Sequence, residues 1–292
     1  MKLHELNHVQ HAPPYCLAPE LFRSLKRGER KENSLNLTYS FGKKKTTMHF
    51  SGPEILGVDD MRFLQVIVAF AGLKGKILTS DSTQKIAKQL RANLDFCFSD
   101  GEGLIFNESM GKLLSELGMT DGGKNIRALK SSLMRMSEVN VTREQGVKKI
   151  SSRLISYAFD DSKYLWIALS PTVADGILAG GKYSRIEMSE VRALKTDPAR
   201  LIHQRLCGWI DTGNGRNKNN VNLDTLCEYV WPNQATHEAM KKRRAAVRRA
   251  LKEISELGWI IDEFAKNKFY ITRPAITKKK FKKISTSPGV NE

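Results

Sequence analysis

The strongest chemical signal in this 292-residue chain lies between residues 241 and 252. Winding residues 239–257 at about 100° per residue puts Val247, Leu251, Ile254 and Gly258 on one stripe. The opposite face carries Lys241, Lys242, Ala245, Arg248, Arg249 and Lys252, and no acid interrupts the run. Long cations around a small alanine suit a helix that lies close to a polyanion. The backbone can approach the floor of a DNA major groove while the side chains reach phosphates and base edges. A second candidate face, on residues 123–136, is sparser. There Lys124, Arg127, Ser131 and Arg135 oppose the apolar stripe Ile126, Leu129, Leu133 and Met136. Lys266 and Lys268, in a turn that follows the first helix, are placed to touch flanking phosphates.

Other groupings of reactive residues fail on chemistry. Residues 176–183 (GILAGGKY) have the spacing of a phosphate-binding loop as far as Lys182, but Tyr183 stands where a Ser or Thr would hold Mg²⁺. The preceding residues from Pro171 read as a helix, not the strand such a loop requires. Gly52 to Gly57 repeats the glycine spacing with Val58-Asp59 in place of Lys-Ser. His203 and Cys207 share a helix face, with Cys227 farther on, which leaves a zinc ion short of a fourth ligand. The doublets Asp59-Asp60, Asp160-Asp161 and Asp262-Glu263 fall at element ends, where carboxylates cap helices or stay in water. The sequence therefore predicts no catalytic residue, no metal and no cofactor.

Turn and capping residues set out the elements that would position the basic faces. Pro13, Pro14 and Pro19 among His4, His8 and His11 predict an irregular N-terminal arm over 1–19. Alternation at 35–39 and 46–50 predicts a hairpin with a basic tip, and 59–71 a buried helix. Residues 79–108 are ambiguous between helix, strand and loop. A short helix at 110–117, a turn, a longer helix at 123–136 and strands over 139–169 follow. The order then recurs: a helix opened by Asp197 and Pro198, a polar loop, a short helix capped by Asn222, a long helix at 237–257, and a hairpin around residues 265–268. Helix, short helix, longer helix and hairpin is the element order of a winged helix.

The charge balance fits such a reading. The chain carries 48 basic and 31 acidic residues, a net charge of +17, beyond what solubility needs. Residues 1–180 hold 25 basic and 19 acidic groups, whereas 181–292 hold 23 and 12, so the excess concentrates in the shorter C-terminal part. The longest apolar run, 66–73, is too short to cross a membrane, and the four dispersed cysteines suggest neither a disulfide framework nor a zinc knuckle. A cytoplasmic protein with reduced thiols is expected. The predicted fold class is α+β, with two tandem winged-helix domains over 20–180 and 181–275 and a disordered basic tail over 276–292. The glycine pair 180–181 supplies the hinge.

Several strings are similar to a known family. Residues 16–22 (CLAPELF), 25–31 (LKRGERK), 51–54 (SGPE), 190–194 (EVRAL), 203–211 (HQRLCGWID), 229–232 (YVWP), 242–244 (KRR) and 271–274 (ITRP) all resemble the replication initiator protein C of IncQ-type broad-host-range plasmids. The resemblance extends over most of residues 8–275 and implies two winged-helix domains. It also implies a protein that binds directly repeated sites, the iterons, in double-stranded origin DNA and helps open adjacent AT-rich DNA. A plasmid-encoded helicase and primase would then load, and a second copy of the chain is a further candidate partner. A two-domain transcriptional repressor would share the charge and the periodicity. A nicking relaxase or primase would need a nucleophilic tyrosine or a carboxylate metal cluster, and neither assembles from these residues.

Overall fold

The computed structural model describes residues 4–26, 28–42, 45–94, 101–159, 164–178, 183–212 and 217–275. It begins with an ordered segment where a structureless arm was expected. Strand β1 (His8–His11) leads into helix α1 (Pro13–Leu17), and Val9, Tyr15 and Cys16 are buried. Prolines oppose a helix interior, but Pro13 and Pro14 occupy the first turn, where the missing amide hydrogens have no intrahelical partner to lose. The strand escapes local pattern reading because its antiparallel partner, β12, lies at 184–187.

After α1 the chain forms the short strand β2 (Phe22–Arg23), helix α2 (Glu29–Glu32) and the expected hairpin of β3 (Leu35–Phe41) and β4 (Thr46–Gly52). Strand β5 (Leu56–Gly57) runs parallel to β2 and opens α3 (Val58–Lys74). Helix α3 is apolar on nearly every side and buried from Met61 to Ala71 except at Arg62, as a helix at the centre of a core must be. Around it run β6 (Lys76–Leu78), α4 (Lys85–Asn93), β7 (Gly103–Ser109), α5 (Met110–Glu116) and α6 (Gly123–Glu138). The ambiguous 79–108 stretch thus holds a helix and a strand, with 95–100 outside the described residues. Strands β8 (Asn140–Gln145) and β9 (Lys148–Arg153) form the hairpin after α6, and β8 joins it to β4 in a four-stranded sheet. Strands β10 (Ile155–Phe159) and β11 (Tyr164–Leu169) complete a second sheet in the order β10-β11-β7-β6.

Helix α7 (Pro171–Leu178) and β12 (Ser184–Glu187) lead into α8 (Met188–Ala193) and α9 (Asp197–Trp209). The cap of α9 is Thr196, which accepts the Ala199 amide at 3.4 Å, so Asp197 moves to the first helical position and pairs with Arg200. Next come β13 (Lys218–Asn222), α10 (Leu223–Val230), α11 (His237–Ser255), β14 (Ile260–Ala265) and β15 (Lys268–Thr272). Strand β13 falls at the end of the expected polar loop and builds a three-stranded sheet, β13-β15-β14.

Beside a smaller cluster of Leu78, Ala87, Leu90, Leu94, Ile105 and Ala168, the main apolar core runs from Leu6 to Ile271. Across it the Gln65 amide of α3 donates to Gln204 of α9 at 2.5 Å, and Gln204 donates to the Tyr15 carbonyl at 3.2 Å. These bonds, with β1 on β12, tie the N-terminal segment to both halves. The proposed hinge at 180–181 and the basic tail over 276–292 lie outside the described residues.

Gly176 has a packing reason for being glycine. A Cβ there would sit 2.5 Å from the Ala12 backbone nitrogen, where α7 presses on the turn after β1. Gly176→Ala is accordingly expected to lower unfolding free energy by about 1–3 kcal/mol, as overpacking does. Urea denaturation checks it; an unchanged midpoint would show that the contact relaxes freely.

Candidate nucleic-acid interface

Helix α11 forms because Thr236 caps it, accepting the Ala239 amide at 3.3 Å, and because Val247, Ala250, Leu251 and Ile254 bury one side. Gly258, at a φ of 94°, turns the chain into β14. The other side is exposed at all six expected positions, Lys241, Lys242, Ala245, Arg248, Arg249 and Lys252. Their surroundings differ. Arg248 is clamped to the hairpin, donating to both Glu263 carboxylate oxygens at 2.8 Å and to Asn267 Oδ1 at 2.9 Å. The Arg248 hydrogen bonds hold the Glu263 carboxyl down to about 2, so the pair stays ionised at neutral pH. Arg244 likewise grips both oxygens of Asp224 at 2.7 Å, and Arg243 donates to the Trp231 and Asn233 carbonyls. Lys241, Lys242, Arg249 and Lys252 have no carboxylate partner among the described residues. Lys266 and Lys268 are exposed at the tip of the β14–β15 hairpin, where Asn267, at a φ of 61°, takes the left-handed turn position.

On α6 three of the four expected positions are exposed and the fourth is not. Lys124, Arg127 and Ser131 are exposed, and Lys130, which the helical stripe passed over, joins them with its ammonium 5.4 Å from the Phe159 ring. Arg135 is buried, 7 % exposed. Its guanidinium bonds Asp60 at 2.7 Å and Asp59 at 3.2 Å, and Ser132 also donates to Asp60. Periodicity alone placed Arg135 with Lys124, but the N-terminus of α3 crosses that end of α6. Asp60 meanwhile accepts the Gly57 amide at 2.8 Å and caps α3. Arg135 therefore holds the core together and does not face a groove.

Two basic helices, each after a short helix and before a hairpin, are thus the candidate interface, and comparison with known proteins places the chain. Residues 3–275 match the replication protein C (RepC) family. The chain belongs to that family. No curated protein sequence matches it. Crystal structures of domains 2 and 3 of RctB are similar in fold. A selenomethionine derivative superposes with a TM-score of 0.52 at 10 % identity, covering 89 % of this chain and 96 % of that one. Another gives 0.51 at 13 % identity, covering 89 % and 95 %. The fold is thus shared at 10–13 % sequence identity. No helix among the described residues of this RepC chain is long and apolar enough to cross a membrane.

The RepC chain also gathers a cluster that resembles a metal site. Its members are Glu190, His203 and Cys207, whose donor atoms lie within 4.8 Å of one another; Cys227, the third ligand considered from sequence, is absent from it. His203 Nε2 is 2.6 Å from Glu190 Oε2 and 3.5 Å from the Cys207 sulfur. Ligands about 2.0–2.1 Å from a tetrahedral zinc lie more than 3 Å apart, so a proton is what fits the His–Glu gap. Trp259 Nε1 donates to the other Glu190 oxygen at 3.3 Å. The cluster is a buried staple joining α8, α9 and the hairpin. Burial works against charge on His203, but Cys207 and the Glu190 carboxylate outweigh it and push the imidazole up to about 10. A raised folded-state pKa stabilises fully below the unfolded value near 6.5 and is lost as pH climbs toward 10. RepC stability in urea is expected to fall over that window, and His203→Gln to flatten the fall; equal slopes would remove His203 as its cause.

Proposed function

We propose that this RepC chain is a non-enzymatic plasmid replication initiator, of the IncQ type that its sequence resembles. Each half is read as a winged helix, with α6 and α11 entering major grooves and the β8–β9 and β14–β15 hairpins as wings. One observation carries the reading: Lys241, Lys242, Arg249 and Lys252 form a cationic row without carboxylate partners among the described residues, on a helix packed between a short helix and a hairpin. Membership in a replication protein family supports DNA at an origin as the polyanion. Family resemblance also supports directly repeated sites as the target and a plasmid-encoded helicase and primase as the proteins that follow in the cytoplasm. Free energy for opening AT-rich DNA would come from binding and bending, because nothing in the chain's motifs supplies nucleotide hydrolysis.

Footprinting of the whole chain on double-stranded origin DNA tests this. Protection in step with direct repeats is expected, together with enhanced permanganate reactivity of neighbouring thymines without ATP. Absence of protection at the repeats would overturn the reading, and repeat protection with no opening would favour a repressor. The whole chain is required, because a fragment beginning near residue 182 would lack β1, the partner of β12.

A further inference from the structure

The three-stranded C-terminal sheet has two unlike faces. Val221, Ile261, Phe269 and Ile271 point inward, and Glu263 on the same side meets Arg248 of α11. Strand alternation puts Lys218, Asn220, Ile260, Asp262, Phe264, Lys268, Tyr270 and Thr272 on the outer face, where no helix among the described residues covers them. An outer sheet face in water is normally polar. Here Ile260 is 57 % and Phe264 47 % exposed. Phe264 stacks on Tyr270 with centroids 4.1 Å apart and planes 26° from parallel, and the Lys218 ammonium sits 4.3 Å from the Tyr270 ring.

We propose that this outer face binds single-stranded DNA, with an unpaired base stacking on Phe264 and the backbone running past Lys218 and Lys268. The chemistry selects that occupant. Every base has an apolar face that stacks on an exposed ring, whatever the sequence, and cations beside the ring match the strand's phosphates. Asn220 and Thr272 add hydrogen-bonding groups on the same face, and Asp262 is its one carboxylate among these positions. A peptide partner without acidic residues would leave the two lysines without a charge to answer. The inference extends the initiator reading, since a protein holding duplex repeats on α11 could retain one released strand on the far side of the same sheet.

The test measures fluorescence anisotropy of a labelled twenty-residue oligothymidylate and, separately, of a labelled duplex carrying the origin repeats, with the full chain and Phe264→Ser. The wild-type chain should bind both probes, and the variant should bind the single strand about tenfold or more weakly while keeping duplex affinity. Replacing thymine with 5-iodouracil should yield a photocrosslink on the peptide holding Phe264 or Tyr270. Three results would overturn the proposal: no single-strand binding by the wild type, undiminished binding by the variant, or parallel loss of both probes. The second would leave the face to a protein partner. Failure on the duplex with retention of the single strand would instead strike the reading under which α11 enters a groove.

Discussion

Arg249→Ala combined with Lys252→Ala is expected to weaken binding to duplex repeats by about 2–4 kcal/mol, roughly 30- to 1000-fold. Arg249 is free to reach a base edge, and a bidentate arginine contact accounts for about 1–3 kcal/mol of that loss. Lys252 is suited to a phosphate, so its removal should lower the slope of log affinity against log salt by about one. Arg248→Ala should cost less than Arg249→Ala, because its guanidinium already spans Glu263 and Asn267 in the free protein. Titrations at several salt concentrations check all three. Equal losses at 248 and 249 would mean that the Glu263 clamp opens on DNA, and an unchanged affinity in the folded double variant would remove α11 from the interface.

The second large effect is on stability. Arg135→Ala takes from the buried Asp60 its shortest ion pair and leaves it Arg30 at 3.4 Å, so unfolding free energy should drop by about 3 kcal/mol, the low end for breaking a buried pair. Asp60→Ala leaves the arginine only its 3.2 Å pair with Asp59 and costs the α3 cap as well, so a drop of similar size is expected. Neither variant should change the salt dependence of DNA binding in whatever fraction stays folded. A stable Arg135→Ala protein that binds DNA poorly would reverse the assignment and return that side chain to the groove.

The contrast between Arg135 and Arg249 shows how far pattern reading reaches. Both are cations on the polar side of an amphipathic helix, and periodicity treats them alike. Whether another element crosses that side is a tertiary fact, and only Asp59 and Asp60 hinted at it, through acids that could serve as caps or as partners. The long helices, the short helices capped by Ser109 and Asn222, and the hairpins around Lys45 and Asn267 were legible because each rests on contacts within a few residues. Strands β1 and β13 were not, since a short stretch of polar residues around a single valine becomes a strand only through a distant partner. His203 and Cys207 were visible as a pair at helical spacing, but Glu190 reaches them from a different helix and carries no mark in its own surroundings.

Strand β1 has a consequence for how the protein is made. Its partner is the stretch from Ser184 to Glu187, so β1 cannot pair until more than 170 further residues have been translated. At about 5–20 residues per second, that wait is on the order of 10–35 s. Throughout it Val9 and Tyr15, both buried in the finished protein, lack the β12–α9 side of their site. The nascent β1–α1 segment should therefore be a client for chaperones, and slow codons between it and residue 184 should lower the yield of native protein more than slow codons after residue 187.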